Sequence, residues 1–113
     1  MKYNFSVTTP AKNDIVGIKA YIVSNNKRAA IKISTRIYEV LDNIEKNPKI
    51  GGSVSERFGI DTDSLYFPVL PYTYIIFYRL NKQNITIDRV LDGRRDCMSV
   101  LGWNDKELPD DEQ

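Results

Sequence analysis

The 113-residue chain has no histidine, a single cysteine and no apolar run of eighteen residues. Without histidine, the easiest acid or base near neutral pH is missing. Cys97 alone can form no disulfide within the chain and cannot build a cysteine-rich zinc site. A nucleophilic thiolate also needs an activating base, so Cys97 reads as a small buried hydrophobe in a reducing compartment. The missing apolar run excludes a helical membrane span, and the N-terminus lacks the charged, apolar and small-residue sections of a signal peptide. A soluble, cytoplasmic protein without metal or cofactor is expected.

Charge is also scarce in net terms, at +1, but it is unevenly spread. Residues 1–104 hold 15 Lys and Arg against 10 Asp and Glu, whereas residues 105–113 hold one against five. The body is therefore about +5 and the tail −4. This suits an acidic partner but falls short of the dense basic stripe of a nucleic-acid-binding surface. With 42% hydrophobic composition, the length fits one core and not two. One domain over residues 1–104 is predicted, followed by an acidic tail with almost nothing to bury, expected to be disordered.

The richest stretch runs from Pro71 to Asp96. It reads PYTYIIFYRL, the polar turn NKQN, then ITIDRVL and DGRRD. Two runs of β-branched and aromatic residues around a short polar connection predict a β-hairpin. Tyr72, Tyr74, Ile76 and Tyr78 fall on one face of its first strand, and Thr73, Ile75, Phe77 and Arg79 on the other. Neither face is fully polar, so this strand should be central, with one face on the core and the other on a groove or partner surface.

Upstream, Tyr3, Phe5 and Val7 alternate with Asn4, Ser6 and Thr8, the period of a half-buried strand. Thr9 followed by Pro10 starts a helix, Thr9 serving as cap, with Ala11, Ile15, Ile18 and Ile22 on one stripe. Ser24 to Asn26 should end it. A second helix carries Ala30, Ile33, Ile37, Val40, Leu41 and Ile44 until Asn47 and Pro48. The short connection makes the pair antiparallel. Its outward charges include Lys12, Lys19, Lys27, Arg28, Lys32 and Arg36 against Asp14, Glu39 and Asp42; they mark either a solvated face or a partner surface. Lys49 to Ser64 reads as a loop with a frayed edge strand. Leu65 to Leu70 forms a strand with Pro68 at an edge position or bulge. Asp96 to Trp103 forms a short strand or helical turn. The fold class is α+β: an N-terminal strand, an antiparallel helix hairpin, then a three- to four-stranded antiparallel sheet with one face left for function.

This order, with TTPAKNDIVGIKAYI, the Ala29–Ala30 pair, NPKIGG, FPVLPYTYIIFYRL and ITIDRVLDGRRD at their spacings, resembles the RelE/ParE superfamily of bacterial type II toxin–antitoxin (plasmid stabilisation) toxins over about residues 3–101. The resemblance implies a small toxin held inactive by a cognate antitoxin. ParE-like members inhibit DNA gyrase by binding; RelE-like members enter the ribosome and cleave messenger RNA. A third alternative is a degenerate toxin that keeps only antitoxin binding. The antitoxin should cover the sheet surface and neutralise Arg94 and Arg95, and the free toxin can self-associate through that surface as a homo-oligomer.

Metal-independent RNA cleavage needs a base, an acid and cations for the charged transition state. The cations present are Arg57, Arg79, Arg89, Arg94 and Arg95, with Tyr72, Tyr74 and Tyr78 available to stack on bases. If the protein were a nuclease, Arg79, Arg89, Arg94 and Arg95 would be its site, yet arginine stays charged and transfers protons poorly. Leu101 stands where RelE-like members place a tyrosine, SLYFPVL lacks their lysines, and Asp92 would repel a phosphate. The ordinary roles are packing for the tyrosines and cross-hairpin pairing with Asp88 or Asp92 for Arg79 and Arg89. Arg94 and Arg95, adjacent at a strand exit, cannot both pair with Asp96. The expected binding surface for target or antitoxin is Arg94, Arg95, Arg89, Tyr72, Tyr78 and Trp103, with Trp103 as a clamp or partner anchor.

Overall fold

The computed structural model describes residues 3–102. Strand β1 (Asn4–Val7) leads into helix α1 (Thr9–Val23) and helix α2 (Lys27–Lys46). A 3-10 turn at Pro48–Ile50, strand β2 (Gly52–Ser53) and helix α3 (Val54–Phe58) follow. Strands β3 (Leu65–Pro68), β4 (Tyr74–Asn81) and β5 (Asn84–Asp92) and the helical turn α4 (Cys97–Val100) come next among the described residues. The expected tail and Trp103 lie outside the described residues.

Local chemistry sets the helix limits. The α1 cap is Thr8, one residue before the expected Thr9: its hydroxyl accepts from Ala11 N at 3.2 Å, which places Pro10 in the first turn. Asn26 caps α2 by accepting from Ala29 N at 3.0 Å. Ala11 and Ile15 of α1 and Ile33, Ile37, Val40, Leu41 and Ile44 of α2 are buried against the sheet, and Ala30 of α2 is buried outside that cluster.

The sheet has order β1-β5-β4-β3-β2. The four strands after the helices are antiparallel to their neighbours, as expected, but β1 joins β5 in parallel, with Phe5 beside Ile85 and Val7 beside Ile87. The sheet is therefore mixed rather than antiparallel throughout. Alternation of apolar residues specifies which face is buried, not which way a strand runs. β2 pairs with Leu65 and Tyr66 alone, so Pro68 sits on the uncovered part of β3, where a missing amide costs no ladder bond.

Tyr74, Ile76, Tyr78, Ile85, Ile87 and Val90 meet the helix pair in the main core. The opposite face is not left open. Phe77 and Leu91, with Ile75 beside them, pack with Val54 of α3 and Cys97 of α4 in a second cluster. These side chains are too apolar to leave in water at about 25 cal/mol for each Å² covered. The segment read as a loop supplies that cover: Ser53 caps α3 by accepting from Glu56 N at 3.2 Å, and Gly59 ends it at φ 71°.

Candidate functional site at the exit of the last strand

β1 ends opposite Ile87, so the outer edge of β5 continues beyond it without a strand neighbour. α1 covers this edge with one carboxylate. Asp14 accepts from Val90 N at 2.9 Å and from the Arg89 guanidinium at 2.7 and 2.8 Å. Arg89 therefore pairs with α1, not with Asp88 or Asp92 as its position on the hairpin implies, and the bond to Asp14 raises its pKa. Asp14, one of the charges placed on the outward helix face, is instead an internal clamp.

Arg79 pairs with Asp88 through two bonds of 2.8 Å, the cross-hairpin pairing the sequence implies, which raises the guanidinium's pKa. Arg94 closes on Asp92 at the strand exit, with Nη2 to Oδ2 at 2.7 Å and its backbone N to Oδ1 at 3.0 Å. Asp92 is thus no free repulsive charge. Hydrogen bonds from Arg94, helped by Thr73, hold its carboxyl down at about 2. Because a depressed pKa stabilises the fold above the unfolded value, near 4, the contribution is lost as pH falls from about 4 to 2. Asp92→Asn should cost about 1 kcal/mol at neutral pH, discounted for the exposed Arg94 head. Melting temperatures of the two proteins should differ at pH 7, approach one another towards pH 2 and converge only below it.

Arg95 differs from its neighbours. Its side chain is exposed and forms no ion pair among the described residues. The exit loop fixes its backbone: Arg95 N donates to Asp92 O at 3.0 Å and Cys97 N to Arg95 O at 2.8 Å. Arg95 stands between two small clefts, one beside Asp14, Arg89 and Val100, the other beside Phe58, Ile75 and Met98. Cys97 lines both; burial pushes its thiol pKa up, away from reactivity.

The tyrosines part company. Tyr78 is fully buried, its hydroxyl donating to Pro48 O at 2.8 Å and accepting from Gly51 N at 2.9 Å. It cannot reach a partner, so its place in the expected binding surface is corrected to a structural one. Tyr72, in the turn before β4, is half-buried against the main core. Leu101 packs against the second cluster.

Sequence reasoning missed Asp14 and the α3 pair Arg57–Phe58, whose cation lies 5.9 Å from the ring centroid. The Ser53-x-x-Glu56 cap followed by Gly59 was a readable signal for α3. Nothing local distinguishes Asp14 from a solvated helix carboxylate. Among the described residues no group of His, Cys, Asp or Glu is arranged to hold a metal, and no helix is long and apolar enough to cross a membrane.

Comparison with known proteins agrees with this architecture. The fold is similar to that of a chain from the chromosomal ParDE TA system of P. aeruginosa, at a TM-score of 0.67 and 16% identity, over 79% of this chain and 94% of that one. In sequence, the chain is 32% identical over 98 residues to Toxin ParE3 of Caulobacter vibrioides, covering 84% of this chain and 91% of that toxin. Residues 5–97 match the family model for the ParE toxin of the type II toxin–antitoxin system parDE. The protein belongs to the ParE family of toxins of type II toxin–antitoxin systems.

Proposed function

We propose that this toxin arrests growth in the cytoplasm by binding DNA gyrase, without cleaving RNA, and that a cognate antitoxin holds it inactive. The observation that carries the reading is the engagement of the strand arginines. Arg79, Arg89 and Arg94 each direct a forked guanidinium at a carboxylate of the same chain, Asp88, Asp14 and Asp92. A phosphorane-like transition state gains little from cations already neutralised in this way. Arg95 remains for contact with a partner.

The helix hairpin supports binding of an acidic protein surface. Val23, Ala30 and Ile31 line a groove of about 360 Å³ flanked by Lys19 and Lys27. Val16, Tyr21, Ile31 and Tyr38 stand exposed on the same two helices. Apolar groups ringed by lysines suit a partner that offers apolar side chains among carboxylates.

Induced expression with parallel readouts of plasmid supercoiling and messenger integrity tests the reading. Lost supercoiling with intact messengers is expected. Rapid codon-positioned cleavage with normal supercoiling would overturn it in favour of ribosome-dependent cleavage. Normal growth, with the protein folded and free of antitoxin, would leave a degenerate toxin that keeps antitoxin binding alone.

A further inference from the structure

Helix α1 has hardly any contrast between its faces, whereas α2 has a strong one. Its sheet side is apolar as expected, with Ala11, Ile15, Ile18 and Ile22 in the main core. The side turned to solvent carries Asn13, Val16, Gly17, Ala20, Tyr21 and Ser24, all exposed and none charged. Val16 is 62% and Tyr21 73% exposed. A helix that is apolar all round is ordinarily buried all round. Of the charges on α1, Asp14 is clamped on Arg89, and Lys19 lies over the Tyr38 ring at 5.9 Å from its centroid. Gly17 is the least expected residue there. Glycine weakens a helix interior relative to alanine, yet a Cβ at Gly17 would meet nothing within 4 Å. No contact among the described residues therefore accounts for a glycine at this position.

Asn13, Gly17, Ala20 and Ser24 follow at steps of four, three and four, the spacing of a seam on which another helix can pack. Gly17 and Ala20 at its centre let two backbones come close, and Val16 and Tyr21 flank it on either side. We propose that this seam packs against the same seam of a second copy of the chain, about a two-fold axis running along α1. On such an axis each seam residue meets itself, which a charged group would resist. Glycine and alanine do not, and the Asn13 amide, which both donates and accepts, pairs with its twin and fixes the register. An acidic protein finds no cation on this seam for its carboxylates, and a nucleic acid finds none for its phosphates. α2 lies on the Lys19 and Val23 side of α1. Parallel pairing sends the two α2 helices to opposite sides, whereas antiparallel pairing would set Lys27, Arg28 and Lys32 against the basic residues of the other copy. The pairing runs through α1 rather than through the sheet surface expected from the sequence, where Phe77 and Leu91 already pack with α3 and α4. It does not depend on which target the toxin binds.

Analytical ultracentrifugation of the full chain, free of antitoxin, over rising concentration tests the pairing. One helix face per copy is small beside the ~1,200 Å² of a standard complex, so a monomer–dimer equilibrium with a midpoint of roughly tens of micromolar is expected. Gly17→Glu, which has room in the monomer and favours the helix, should weaken the dimer tenfold or more without lowering the melting temperature. Ser55→Glu, which adds the same charge at an exposed position of α3, should stay within twofold. Under mild oxidation Asn13→Cys should link two copies through position 13, while the native chain, whose one cysteine is the buried Cys97, should not link. A chain that stays monomeric tenfold above the expected midpoint would overturn the proposal, as would a dimer that Gly17→Glu leaves intact. An Asn13→Cys protein that dimerises without linking would overturn the parallel register. If the native chain stays monomeric and Gly17→Glu instead weakens its complex with an acidic antitoxin, the face belongs to that partner and not to a second copy.

Discussion

Asp14→Ala should lower the stability of this protein by about 3 kcal/mol, the low end for breaking a buried ion pair. The lower end applies because the Arg89 side chain is 27% exposed and recovers some hydration. Three hydrogen bonds disappear together: two from the Arg89 guanidinium and one from Val90 N. The backbone bond matters most for the fold, because β1 has already ended opposite Ile87 and supplies no other partner along that edge. Arg89→Met in the Asp14→Ala background removes the stranded charge and should recover about half of the loss, leaving chiefly the amide unpaired. Denaturant unfolding of the four proteins completes the cycle; a single-variant cost below about 0.5 kcal/mol would show that the clamp is merely a surface pair.

Tyr78→Phe should cost about 2 kcal/mol, since it leaves a buried carbonyl at Pro48 and a part-buried amide at Gly51 without their shared hydroxyl. The effect is large for one oxygen because that oxygen ties the end of α2 to the centre of the sheet. Gly51 has no room for a larger residue: an added Cβ would strike the Tyr78 hydroxyl and lie 2.8 Å from Tyr66 O. Gly51→Ala should therefore destabilise the same junction by about 1–3 kcal/mol, by overpacking rather than by bond loss. Thermal melts of Tyr78→Phe, Gly51→Ala and the double variant test the shared origin. The double variant should fall short of the sum, as expected for residues in direct contact.

The elements were legible where one local cause dominates. The α2 stripe from Ala30 to Ile44, the stop at Asn47–Pro48 and the hairpin around Lys82–Gln83 follow from periodicity and turn chemistry. The parallel seating of β1 was not legible, because Tyr3, Phe5 and Val7 require a buried face that either direction provides. Ile75 and Phe77 stood on the supposed working face, and their apolar character already implied the cover that α3 and α4 give them. The arginines were legible as a group and not as individuals. Arg79 meets Asp88 on the adjacent strand, which register predicts; Arg89 meets Asp14, seventy-five positions earlier, which no local pattern encodes. Adjacency suggested that Arg94 and Arg95 act together, but Asp92 takes one and leaves the other.

The central claim is that the strand arginines belong to the fold and that the target is engaged by binding. Arg79→Gln tests it most directly, because Arg79 would bind phosphate in a nuclease and, among the described residues, pairs with Asp88 alone at an exposed position, where the loss costs about 0.5 kcal/mol. Growth arrest after induction, at equal expression and with a native-like melting temperature, should persist within twofold of the unaltered protein. Loss of arrest in a folded Arg79→Gln protein would contradict the account.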